Sequence, residues 1–216
     1  MKKILPLFVL ILISSQAFSQ VKVSLRVSPA LVTNRVTDAD NGDGVNVSNN
    51  GSQFAFTAGP AIDFYFTDNF AFSTGLSYQS TRIAGKRDSY EFNRSLQYIQ
   101  APVTFKAFTN EIATNLNLYV QLGGTLNVKI NEKLKSSNYN GFYSTTDPDA
   151  DTKIVSPVDV GLYIGAGINY KIAENNSIFA GLYYNRGLTN IIANSSYRNK
   201  MHMHNDLLGI EVGFTF

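Results

Sequence analysis

His202 and His204 are the only histidines in the 216 residues, and they stand two apart in Met201-His202-Met203-His204. On a strand, residues two apart share a face, so the pair offers two imidazoles to a soft or borderline metal. Two ligands do not make a site. With no cysteine in the chain, Asn205 or Asp206 would have to complete it. A polar loop leading into a final strand explains the same residues, and no metal site or cofactor is expected. The same histidines are the only bases for a Ser–His–acid set, with Ser195 or Ser196 as nucleophile and Asp206 as acid. No Gly-x-Ser-x-Gly elbow, phosphate loop or His-Glu-x-x-His helix accompanies them. The chain is therefore not expected to be an enzyme; an activity in the loop around His202 and His204 is the alternative. The stretch Asp38-Ala39-Asp40-Asn41-Gly42-Asp43-Gly44 resembles a calcium loop. With Gly44 at position six, Asn41 and Asp43 fall correctly, but Ala39 takes position one and Asn50 position twelve. The register fails, leaving a solvated polar loop.

The elements that would carry these residues follow from composition and periodicity. Charged residues make up 16% of the chain, against about 25% in soluble domains. Fifteen Phe and twelve Tyr carry too much apolar surface for disorder, and zero Cys excludes a disulfide scaffold. Met1-Lys2-Lys3, an apolar run from Ile4 to Ile13, and Ala17 and Ser19 at small-residue positions read as a secretory signal peptide. Residues 1–19 are expected to be cleaved, with 20–216 forming one domain. The apolar run rises only about 15 Å, half a hydrocarbon core, so it is not a membrane-spanning helix. Lys2 and Lys3 leave with it, so 18 basic residues become 16, against 16 acidic ones. A neutral mature chain gives no support to nucleic-acid binding.

Beyond the leader the pattern has period two. Leu116, Leu118, Val120, Leu122, Leu126, Val128 and Ile130 alternate with Asn117, Tyr119, Gln121, Gly123, Thr125, Asn127 and Lys129. Val158 to Ile172 and Gly209 to Phe216 repeat it. Eight strands are predicted, near 21–32, 53–66, 70–83, 96–108, 116–130, 157–172, 177–190 and 205–216. Their connections alternate between short turns (67–69, 110–115, 173–176) and long polar segments (33–52, 84–95, 131–156, 191–204). This is the pattern of an all-β, eight-stranded antiparallel up-and-down transmembrane β-barrel with short periplasmic turns and long extracellular loops. In hydrocarbon every backbone group must pair, which a closed sheet achieves without an edge. The wide apolar faces then meet the lipid bilayer, and the small-polar faces fill an interior too narrow for an open pore. A soluble barrel with a greasy cup is disfavoured, because five inward faces carry charges.

Alternation points Lys22, Arg26, Asp63, Lys106, Lys129, Asp159, Lys171 and Glu211 into the lumen. Buried charges must find partners. Strand direction predicts Arg26–Glu211 as the pair that closes the barrel, Lys129–Asp159 near the upper end, and Asp63 with Lys22 near the lower rim. Their expected role is structural. Gly75, Gly123, Gly161, Gly165, Gly167 and Gly213 also face inward, leaving room for Tyr119 and Tyr163.

The run Leu96-Gln97-Tyr98-Ile99-Gln100-Ala101-Pro102-Val103-Thr104-Phe105-Lys106 resembles the fourth-strand motif of PorT-like outer-membrane barrels, with Tyr98, Ile99, Pro102 and Lys106 matching it. Gln100 and Ala101 replace that family's usual Glu and Ile. Tyr183-Tyr184-Asn185-Arg186-Gly187-Leu188-Thr189-Asn190-Ile191 is similar to the family's seventh strand. Phe216, with Phe214 and earlier apolar residues at alternate positions, looks like the signal read by the outer-membrane insertion machinery. The resemblance implies a Bacteroidetes-type protein of the bacterial (Gram-negative) outer membrane and cell envelope. Its founding member serves in secretion and gliding-type machinery, a role not carried over here. The expected function is structural or interactive: a monomeric loop platform for an envelope protein partner or surface ligand, or a component of an envelope machine. A narrow solute conduit is the remaining alternative.

Overall fold

A computed structural model describes residues 21–38, 48–87, 90–137, 153–193 and 201–216. The expected leader, residues 39–44 of the calcium-like stretch, Ser195 and Ser196 lie outside the described residues.

Eight long strands form one antiparallel ring. They are β1 (Val21–Asp38), β2 (Ser52–Thr67), β3 (Phe70–Gly75 continued by Ser77–Arg87), β4 (Tyr90–Phe108), β5 (Leu116–Ser137), β6 (Val158–Lys171), β7 (Ser177–Gly187) and β8 (Met201–Thr215). A two-residue piece, Ser48–Asn49, pairs with Lys86 and Gly85 of β3. Each strand pairs with the next, and β1 pairs with β8 from Ser24↔Thr215 up to Asp38↔Met201, so the sheet has no free edge. The interruption in β3 has a local cause. Leu76 stands opposite Pro60, which has no N–H to give the ladder; only the Leu76 N–H to Pro60 carbonyl bond (3.2 Å) remains.

The faces sort as the alternation requires through the middle of the barrel. Leu122 is 55% exposed on the outer wall, and its neighbour Gln121 is 2% exposed in the lumen. Val23, Leu25, Val27, Leu118, Val120, Ile164, Leu182 and Ile210 are likewise outward. At the short-turn end Phe66, Phe70 and Phe105 stack outside, with ring centroids 5.6 to 6.1 Å apart, as an interfacial aromatic girdle should.

The expected long segments are partly strand. Residues 84–95 are almost wholly a hairpin, with Arg87 paired to Tyr90, and β1, β5 and β8 also run beyond their predicted ends. The polarity of the alternation inverts there. Val32, Ile83, Phe92 and Leu96 point inward while Thr33, Arg82 and Glu91 point out. Such a wall stands in water and packs its apolar side against itself. Ile130 is the extra residue of a β-bulge, because Gln97 pairs with Asn131 and Tyr98 with Lys129. It shifts the phase of β5, so both Lys129 and Glu132 turn inward.

Candidate functional site

The lumen is filled in successive layers. Nearest the short turns, Lys106 Nζ donates to both oxygens of Asp63, at 3.1 and 2.9 Å. Lys22 instead lies over the Tyr65 ring, 5.4 Å from its centroid. The expected Asp63–Lys22 pair is therefore replaced. Lys22 is directly across the ladder from Asp63, but it sits at the open lower mouth, whereas Lys106 is as buried as the carboxylate and needs it more.

The middle layer centres on Glu211, 1% exposed. Arg26 Nη1 lies 3.6 Å from it, joining β1 to β8 at the closing seam. Tyr119 and Tyr163 donate hydroxyl hydrogen bonds to its two oxygens at 2.7 and 3.0 Å, and the Gln121 amide donates a further one. Tyr119 fits because Gly167 and Gly181 lie beside its hydroxyl; a Cβ on either would come within 2.7 and 2.5 Å of that oxygen. Above it Tyr163 and Tyr183 stack at 5.2 Å, in an apolar group with Ala30, Val32, Ala55 and Leu207.

In the upper half Asp159 accepts from the Thr189 hydroxyl at 2.7 Å and from Asn127 at 3.4 Å. Lys129 does not reach it. Lys129 binds Glu132 at 2.6 Å and the Val155 carbonyl. The bulge at Ile130 causes the exchange, since it brings a nearer carboxylate inward. Glu132 also binds Arg94 at 2.9 Å, with both side chains fully buried. Its oxygens further accept the backbone N–H groups of Ile154 (2.9 Å) and Val155 (3.3 Å). That segment pairs with Ile191–Ala193, and together they seat Ile154, Val155, Ile191 and Ile192 against Ile83, Phe92, Leu96, Tyr98 and Met203. An apolar plug thus closes the upper mouth, held from below by a buried charge cluster.

The residue reading missed Arg94 and Glu132. Arg94 shares the parity of Gln100 and Lys106, but it lies two residues before the predicted start of β4 at 96, whereas the strand begins at Tyr90. Glu132 lies past the bulge and no spacing rule places it inward. Of the motif residues, Tyr98, Pro102 and Lys106 face the lumen and Ile99 the outside. Phe214 and Phe216 lie at the outer seam with rings 4.9 Å apart.

Voids beside Lys106 and beside Arg26 measure about 10 Å³ each, room for one water. Below them a vestibule of about 340 Å³ opens toward the short turns, bordered by Lys22, Tyr65, Asn117, Asn169 and Lys171. Lys171 is paired at 2.9 Å with Glu111 of the turn before β5, whose carboxyl it holds below the usual range by that hydrogen bond and charge.

His202 and His204 lie on the outer face of β8, above the apolar wall. His204 Nδ1 has no hydrogen-bond partner, and Asp206 is engaged by Arg35 at 3.3 Å and by the Gly187 N–H at 3.2 Å. No hydrogen bond joins Asp206 to His204 Nδ1. Among the described residues no group of three His, Asp or Glu is placed to hold a metal.

Residues 15–193 match the family described as outer membrane protein beta-barrel domain. The chain belongs to that family. Its address is the outer membrane, and its apolar wall is embedded in lipid. The outer membrane protein OprG from Pseudomonas aeruginosa shares the fold with a TM-score of 0.52 at 13% identity, over 90% of this chain and 95% of that one. Neisserial surface protein A (NspA) does so with a TM-score of 0.50 at 14% identity, over 90% and 97%. At such identities the likeness is one of fold. No curated protein matches the sequence.

Proposed function

We propose that this outer-membrane barrel is a closed, monomeric platform. Its lumen is packed for rigidity, and the strand extensions beyond the lipid present the surface that an envelope partner or extracellular ligand meets. The observation that carries this is the double closure of the lumen, by the Glu211 layer and by the plug that Glu132 holds. Solute passage would require both to open, and each contains buried charges that are costly to separate. The extensions are substantial: from Ile130 to Ser137, β5 continues for about 20 Å along the strand. Insertion by the outer-membrane machinery through the Phe214 and Phe216 terminus, and kinship with PorT-like barrels through the Tyr98–Lys106 run, belong to the same proposal.

Two measurements test it together. Planar-bilayer recordings of the purified barrel are expected to show no conductance above background. Deletion of the 87–90 hairpin tip or of residues 138–152, with barrel folding intact, is expected to abolish partner crosslinking in native membranes. Steady ion conductance, or crosslinking that persists through both deletions, contradicts the platform.

A further inference from the structure

The outer wall of β4–β8 is not uniformly smooth. Phe105, Leu122, Ile164, Tyr184 and Leu208 form one hydrogen-bonded row across the five strands. In the next row toward the periplasm, Ala107 and Ala166 replace large side chains beside Val120 and Leu182. The short side chains leave an apolar groove of about 580 Å³, within the size range of ligand sites. Its extracellular end lies under Tyr184 and Leu208. Two residues further up the same faces, Arg186 stands opposite Asp206, and beyond them Arg35 stands opposite His204. Asp206 is engaged by Arg35, by the Gly187 amide and by the Tyr184 hydroxyl, and Arg35 also donates to the Gly187 carbonyl at 3.0 Å. Arg186 keeps its side chain exposed on the outer face, one outward position above Tyr184 and one below Leu188. Among the described residues the patch holds two guanidiniums, Arg35 and Arg186, against one carboxylate, Asp206.

An apolar groove in the lipid belt that ends beneath an excess of guanidinium charge has the shape and polarity of an amphiphile. We propose that this wall binds one phospholipid of net negative charge, with an acyl chain along the Ala107–Ala166 groove and the phosphate on Arg186. Arginine's planar fork matches phosphate oxygens in pairs, and such charge-assisted bonds strengthen where water is thin. Asp206 fixes Arg35 in place and sets the patch's orientation.

The test titrates phosphatidylglycerol, phosphatidylcholine and inorganic phosphate into the barrel in dodecylmaltoside and reads lipid adducts by native mass spectrometry. One phosphatidylglycerol per chain is expected to bind saturably, about tenfold or more tighter than phosphatidylcholine. Arg186→Ala should remove that preference. Ala166→Phe, which fills the groove, should weaken both lipids while Arg186 is intact; Ala107→Leu serves if that variant fails to fold, as read by heat-modifiable mobility. Equal binding of the two lipids, full displacement by inorganic phosphate, unchanged binding with a filled groove, or a second copy of the chain crosslinked across Ala166 would each overturn the assignment.

Discussion

Glu211 is the carboxylate on which the centre of the molecule depends. It forms an ion pair with Arg26 and accepts from Tyr119, Gln121 and Tyr163, residues of β1, β5 and β6, so one side chain of β8 ties distant staves together. Removing it leaves Arg26 as a buried charge facing phenols and amides. Glu211→Ala is expected to cost about 3–5 kcal/mol in urea unfolding from lipid vesicles. The pair Arg26→Met with Glu211→Leu should cost clearly less than the sum of the single changes, because no charge is left stranded. Equal, additive losses would show that the two groups are not coupled. This closing pair was legible because both residues sit at matching heights on strands that closure forces together. The Lys129 and Asp63 partners were not. Their choice depends on which of several nearby charges is deepest, and on a bulge at Ile130 that no periodicity reveals.

At the scale of elements, the eight strands and their short turns could be read directly, since lipid on one side and a narrow lumen on the other impose a strict period of two. The upper strands look like loops in the sequence because the sign of the pattern reverses where lipid ends. Val32, Ile83 and Phe92 are apolar and inward, so a rule tuned to outward apolar residues stops there. A lipid-facing substitution measures that boundary. Leu122→Arg, in the middle of the wall, should cost about 2–4 kcal/mol in vesicle unfolding, whereas Ser95→Arg on the outer face of the β4 extension should change stability by about 1 kcal/mol or less. Comparable losses at the two positions would put the belt in the wrong place. The plug is tested separately. Glu132→Gln weakens the acceptor of the Ile154 and Val155 amides and the partner of Arg94 and Lys129. Hydrogen exchange at Ile154, Val155 and Ile192 should quicken about tenfold or more, with the β5–β6 ladder around Leu122 unchanged. Uniform acceleration would mean that the plug is not an independent unit.

For the whole molecule, the arrangement is a cylinder whose outside dissolves in lipid, whose inside is bonded solid, and whose upper end rises into water with its polarity reversed. Rigidity of this kind suits an anchor for contacts made above the membrane. It also separates stability, held by Glu211 and Glu132 within, from the recognition proposed for surfaces such as Arg186 without. The central claim is which side chains touch acyl tails. Intermolecular NOEs from acyl-chain methylenes to methyl groups, recorded on the barrel in lipid nanodiscs, read it without substitution. They are predicted at Leu118, Leu122, Ile164, Leu182 and Ile210, and predicted to be missing at Val32, Ile83 and Ile191. Acyl contacts at the second set, or none at the first, would contradict it.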